Sequence, residues 1–138
     1  MSAGGGKVAL DFLEVRARLE RLELPPTDLV VGVATGGSVP AALLAYRLGC
    51  PLAVMRLNYR AEDNTPQRPE PALLAAFAAP AAQRVLLVDD VSVSGQTLSV
   101  AKGLLASCRV TTLVMKGGAD IVLFPEVASC VRWPWKEA

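Results

Sequence analysis

Apolar residues in this chain fall into short runs separated by polar breaks, and the spacing within the runs switches between helical and extended periods. Val8 to Leu24 carries Leu10, Leu13, Ala17 and Leu24 near helical spacing with charges between them, which predicts an amphipathic helix stopped by Pro25-Pro26. Leu29–Ala34 is unbroken and apolar, the pattern of a strand covered on both faces. Thr35-Gly36-Gly37-Ser38 interrupts it, and a helix is expected over Val39–Leu48, with Gly49 suited to the left-handed residue that ends a helix. Pro51–Leu57 reads as the next strand, polar Asn58–Pro71 as a mobile loop, and Pro71–Ala79 as a short helix. Arg84–Asp89 is predicted as a strand, Asp90–Gln96 as a loop, Gln96–Ser107 as a helix and Arg109–Met115 as a strand. Ile121–Phe124 and Ala128–Arg132 read as two more strands.

Alternation of strand and helix predicts an α/β fold: a Rossmann-like, mostly parallel sheet flanked by helices on both faces. No repeat or long linker divides the chain, so residues 1–138 read as one domain, with Gly4-Gly5-Gly6 marking residues 1–6 as a flexible terminus. Ligands of such sheets sit beyond the carboxyl ends of the strands. Both polar breaks of interest, 34–38 and 89–96, follow strands in this pattern, which suggests one shared site.

Composition narrows the chemistry. A chain of 138 residues can bury roughly two thirds of its unfolded surface, so it needs neither disulfide nor metal to fold. A net charge of +1, with no basic run, argues against nucleic acid or a membrane surface as partner. The apolar stretch Ala72–Ala82 is too short to span a bilayer and contains Pro80. Signal-peptide order is missing. Cys50, Cys108 and Cys130 are odd in number and lack C-x-x-C spacing, which reads as reduced thiols in a cytoplasmic protein. The chain has no histidine, which excludes Ser-His-Asp chemistry and histidine-ligated zinc and leaves a cysteine nucleophile without its usual activating base.

Residues 85–97 carry the densest signal: Val-Leu-Leu-Val, then Asp89-Asp90, then Val91-Ser92-Val93-Ser94-Gly95-Gln96-Thr97. A buried strand that delivers two carboxylates into a small, hydroxyl-rich loop can turn backbone N–H groups inward as an anion nest. The following helix adds its positive end. A phosphate in the loop and sugar hydroxyls on the carboxylates suit this arrangement. A plain strand-turn-helix with an Asp-rich cap accounts for the same residues individually.

Taken as a whole, the segment resembles the phosphoribosyl pyrophosphate (PRPP) motif of type I phosphoribosyltransferases, which reads apolar strand, two acids, then a loop ending Thr-Gly-x-Thr. Val31 to Ala41, with Thr35-Gly36-Gly37 and Pro40-Ala41, is similar to the family's pyrophosphate loop. Asp120-Ile121-Val122 and Val131-Arg132-Trp133-Pro134-Trp135 resemble the C-terminal hood of xanthine and hypoxanthine members, giving a hood and tail over 116–138. The resemblance implies that Asp89 and Asp90 hold the ribose hydroxyls and reach the shell of a Mg²⁺. It also implies that Val93, Ser94, Gly95, Gln96 and Thr97 bind the 5′-phosphate, and that Ala34, Thr35, Gly36 and Gly37 bind pyrophosphate. Lys116 and Ile121 would meet the base. A non-proline cis peptide, frequent in this family's pyrophosphate loop, would fall at Ala34–Thr35 or Thr35–Gly36. Arg56, Tyr59 and Arg60 would open a loop that closes over PRPP.

Three departures accompany these matches. Val93 stands where purine-salvage members often have an aspartate near N7 of the base, Thr35 where a basic residue is usual, and Cys130 where several relatives carry an aromatic. The resemblance thus implies a phosphoribosyltransferase with PRPP, Mg²⁺ and a 6-oxopurine as partners, and a homodimer as in many relatives. The departures leave open a non-catalytic PRPP or nucleotide sensor of the same fold. A generic doubly wound domain for another phosphorylated ligand is the third reading.

Overall fold

The computed structural model describes residues 8–58, 72–73 and 83–135. Eight strands and three helices form among these residues: β1 (Val8–Ala9), α1 (Phe12–Arg21), β2 (Leu29–Ala34), α2 (Ser38–Leu48), β3 (Leu52–Asn58), β4 (Ala72–Leu73), β5 (Arg84–Ser92), α3 (Gln96–Leu104), β6 (Arg109–Gly117), β7 (Ile121–Val122) and β8 (Val131–Arg132). The main sheet has the order β4-β3-β2-β5-β6-β7. Every pairing in it is parallel except β3 with β4. The expected mostly parallel α/β sheet is therefore what the chain builds.

Unbroken apolar runs become the central strands because both faces are covered. Side chains alternate across the sheet, and the two cores divide accordingly. Val30, Leu86, Val88, Leu113 and Met115 pack with Ala41 and Leu44 of α2 and with Val15 and Leu19 of α1. Val31, Val33, Leu87 and Val114 face the other way, against Leu98 and Ala101 of α3 and Met55 of β3. Because β2 and β5 are parallel neighbours, their carboxyl ends lie side by side at one edge of the sheet.

Several predicted boundaries move, each for a tertiary reason. The N-terminal helix spans Phe12–Arg21 rather than Val8–Leu24. Val8–Ala9 is instead a strand paired with Val131–Arg132 in a separate two-stranded parallel sheet. Asp11 starts the helix by accepting from the Glu14 N–H at 2.9 Å. At the other end the Arg47 guanidinium donates to the carbonyls of Leu19 and Leu22, replacing the helical bonds those groups would otherwise need. The chain is extended from Leu22, before the prolines are reached.

Strand β5 runs on through Ser92, so Asp89, Asp90, Val91 and Ser92 belong to it rather than Asp90–Ser92 to a loop. The cause is β6, which also lengthens, to Gly117, and continues the ladder through Val91↔Lys116 and Ser92↔Gly117. Helix α3 stops at Leu104 rather than Ser107, closed by the Leu105 N–H on the Lys102 carbonyl at 3.0 Å. The last two strands shrink to Ile121–Val122 and Val131–Arg132. Of the helix expected over 71–79, Ala72–Leu73 is a strand paired with Leu57 and Asn58, and the remainder lies outside the described residues. Asn58, expected to open the loop at 58–71, belongs to β3, and the other residues of that expected loop, Tyr59 and Arg60 among them, lie outside the described residues.

Candidate functional site

The loop after β2 is built on glycine because neighbouring atoms fill the space that side chains would need. A Cβ on Gly36 would lie 2.4 Å from Cγ and Oδ2 of Asp90, and one on Gly37 would lie 2.4 Å from the Val88 carbonyl oxygen and 2.8 Å from that of Val33. The Asp90 carboxylate therefore packs directly on Gly36, and the loop after β2 interlocks with the end of β5. The Ala34–Thr35 peptide bond is cis, at the first of the two expected positions. Gly37 precedes α2 and its N–H donates to the Val33 carbonyl at 2.8 Å, while the Ser38 N–H donates to the Thr35 carbonyl at 3.1 Å. No side chain caps α2 and its first turn carries no acidic residue, so the positive end of that helix faces the loop.

At the end of β5, Asp89 and Asp90 are buried, at 7% and 9% exposure. Asp89 Oδ1 accepts from the Asp90 N–H and Asp90 Oδ1 from the Val91 N–H, each at 2.8 Å. Gly95 then turns the chain with φ 82 and starts α3, again with no side-chain cap. The Ser94 hydroxyl accepts from the Gln96 N–H at 3.3 Å. Ser94 and Gln96 are exposed, Gly95 and Thr97 half-buried, and Val93 is 90% exposed. Two uncapped helix starts thus flank a pair of buried carboxylates at adjacent strand ends.

Lys116 is half-buried near the end of β6, paired in register with Val91 of β5, and Ile121 is half-buried on β7 against Leu113. Arg56 is exposed on β3, in register with Ala34, beside the first loop. Trp133 is buried in the core against Phe124 and stacks on Trp135 with ring centroids 5.5 Å apart. It anchors the tail and presents no free face to a base. Arg18 of α1 lies over the Phe124 ring at 4.6 Å and donates to the Leu123 carbonyl at 2.8 Å, which ties α1 to the segment after β7. Its ion pair with Glu126 holds that carboxyl below the usual carboxylate range.

Sequence reasoning missed one polar cluster. Asp120 Oδ2 accepts from the Thr112 N–H at 2.9 Å and from the Thr112 hydroxyl at 3.1 Å, and the Asp120 N–H donates to that hydroxyl at 2.9 Å. The N–H of Thr112, more than any other cause, holds the Asp120 carboxyl below its ordinary range, with a smaller contribution from the Lys102 charge. The Gly117-Gly118 pair just before Asp120 was the available signal of a tight turn.

A surface groove of about 370 Å³ at the opposite end of the sheet is lined by Asp28, Arg84, Ser107 and Arg109. Asp28 holds the Arg84 guanidinium through both carboxylate oxygens, at 2.8 and 2.9 Å, which keeps that carboxyl well below its usual range. Among the described residues no three His, Cys, Asp or Glu side chains gather as a metal site, and no helix is long and apolar enough to cross a membrane.

The geometry agrees with what known proteins show. The chain is 39% identical over 88 residues to the transcriptional regulator GfcR of Methanoculleus marisnigri, covering 64% of this chain and 41% of that protein. It is 32% identical over 89 residues to the xanthine-guanine phosphoribosyltransferase of Gluconobacter oxydans, covering 63% of this chain and 52% of that enzyme. The chain thus spans about half the length of these two relatives. Among solved structures, the purine phosphoribosyltransferase of Pyrococcus horikoshii superposes with a TM-score of 0.79 at 25% identity, covering 96% of this chain and 95% of that one. Residues 25–121 match the family model of the phosphoribosyl transferase domain. With that match over most of its length, and with the type I fold around the interlocked loops, the chain belongs to the phosphoribosyltransferase family.

Proposed function

We propose that this chain is a phosphoribosyltransferase that moves the 5-phosphoribosyl group from PRPP to a nitrogen of a purine base, with a 6-oxopurine favoured, and releases pyrophosphate. One observation carries the reading: the Asp90 carboxylate rests on Gly36, so a buried acid pair lies between two loops that each lead into an uncapped helix start. Two anion positions with a diol-binding pair between them match a sugar that carries phosphate at C5′ and pyrophosphate at C1′.

In this reading Ser94, Gly95, Gln96 and Thr97, with the backbone of Val93, hold the 5′-phosphate. Ala34, Thr35, Gly36 and Gly37 hold the pyrophosphate, and Asp89 and Asp90 accept hydrogen bonds from the ribose hydroxyls. Two adjacent carboxylates are too few for a closed protein cage, but they suit a Mg²⁺ that arrives on PRPP and keeps several waters. When bound, such an ion would supply positive charge to offset that of the departing pyrophosphate. The C1′–O bond to pyrophosphate breaks, the bond from C1′ to the base nitrogen forms, and the base gives up a proton. The protein aligns the base with C1′ and stabilises the leaving group, so it needs no strong nucleophile. Lys116 serves as a point-charge donor to a 6-oxo group, beside Ile121.

A non-catalytic PRPP- or nucleotide-binding regulator is the second reading. It is favoured by Val93, which is 90% exposed on the loop where a valine can neither give nor take the proton of the base. Transcriptional regulators among the relatives point the same way. Pyrophosphate release from Mg·PRPP, measured with hypoxanthine, guanine, xanthine, adenine, uracil and orotate in turn, separates the two. Release that depends on a purine supports the transferase. Release with orotate alone overturns the purine assignment, and PRPP binding without release for any base establishes the regulator.

A further inference from the structure

Building on the reading of residues 93–97 as the 5′-phosphate loop, we propose that Asp120 is a positioning residue that sets this loop from below, through the Gly117-Gly118 turn. Ser92 is the last residue of β5 before the loop, and it is buried. Its carbonyl accepts from the Gly118 N–H at 3.0 Å. Its backbone also occupies the place of a side chain on Gly117: a Cβ there would lie 1.9 Å from the Ser92 oxygen and 2.9 Å from its nitrogen. Gly117 adopts φ 112, which only glycine takes without strain. Contact this close couples the two segments, so a shift of the turn moves the start of the phosphate loop.

The turn is held from its far side by Asp120. Ile121 begins β7 opposite Leu113, and Asp120 precedes it opposite Thr112. There the Asp120 side chain takes over as strand partner: its carboxylate receives both donors of Thr112, and its N–H returns one bond to the hydroxyl. Thr112 is only 5% exposed within β6, so it is a fixed point. The chain of contact runs from Thr112 to Asp120, through the turn to Ser92, and on to residues 93–97. A groove of about 390 Å³ adjoins this clip, lined by Gly95, Leu98, Ser99, Lys102, Thr112 and Gly118, so the far end of the phosphate loop borders it as well. The pyrophosphate loop follows β2, on the other side of β5 from β6; it touches β5 at Val88–Asp90, before Ser92, and so lies further from the clip than residues 93–97 do.

That asymmetry makes the role testable in the full chain by calorimetry, with ribose 5-phosphate and pyrophosphate as separate ligands. Losing the acceptor that receives both Thr112 donors is expected to weaken ribose 5-phosphate about tenfold in Asp120→Ala, with pyrophosphate within about twofold of the parent. Asp120→Asn keeps an oxygen toward Thr112 and restores ribose 5-phosphate binding. Thr112→Val preserves shape and strand preference while removing the hydroxyl. It shows a smaller loss in the same direction and provides the test if Asp120→Ala does not fold. Equal weakening of both ligands, or unchanged ribose 5-phosphate binding in the variants, overturns the positioning role alone. Failure of the parent protein to bind ribose 5-phosphate while it binds pyrophosphate overturns the phosphate-loop reading, and the proposal with it.

Discussion

The two loops at the carboxyl ends of β2 and β5 use glycine for opposite reasons. At 34–37 the glycines make room. Gly37 is buried against backbone carbonyls, and half-buried Gly36 rests on the Asp90 carboxylate, so both glycines are closely packed while Thr35 is exposed. At 93–97 the glycine supplies a conformation. Gly95 has φ 82 and nothing within 4 Å of the place a Cβ would take, and Val93 beside it is almost wholly exposed. Gly36 and Gly37 are required by what lies behind them, and Gly95 by the conformation of its own turn. An alanine in each should therefore fail differently.

Gly37→Ala brings a methyl against two carbonyls of the main chain, which cannot swing aside. Overpacking of this kind costs roughly 1–3 kcal/mol or more, and thermal melting should register it as the largest stability loss of the series. Gly36→Ala meets a side-chain carboxylate that can rotate. It should leave the melting temperature closer to the parent and weaken PRPP binding by displacing Asp90. Gly95→Ala meets no atom and carries only the cost of positive φ, about 1–2 kcal/mol. Equal melting losses at 37 and 95 would end the contrast. The smallest structural effect belongs to Val93→Asp, within about 0.5 kcal/mol at so exposed a position. Its effect on turnover is the informative one: an acid-base group contributes roughly 10²–10⁴ in rate, so nucleotide formation should rise in steady-state assays. No change would remove Val93 as the reason for slow or absent catalysis.

Central strands and both loops were legible because their signals are local. Leu29–Ala34 is apolar throughout, and the spacing of Asp89, Asp90, Ser94, Gly95 and Thr97 lies within one segment. What was not legible depends on distant partners. Val8–Ala9 has the look of a helix start until Val131–Arg132 pairs with it. Asp90 to Ser92 read as the start of a loop, yet the ladder to β6 keeps them in the strand. The contact of Gly36 with Asp90 joins the loop after β2 to the end of β5, which the sequence separates by α2, β3 and β4, so each could be read alone and their interlock could not. Trp133 illustrates the same limit: a tryptophan in a tail offers stacking or anchoring equally, and burial against Phe124 selects anchoring.

Calorimetric titration of Mg·PRPP into the parent chain and into Asp90→Asn tests the central claim most directly. The substitution keeps an oxygen for the Val91 N–H, so the local fold is retained, and it removes the charge and an acceptor that the ribose hydroxyls require. The account predicts binding by the parent and an affinity at least about tenfold lower in the variant. Equal affinity in the two proteins would contradict it, because the carboxylate that joins the two loops would then have no part in holding the ligand.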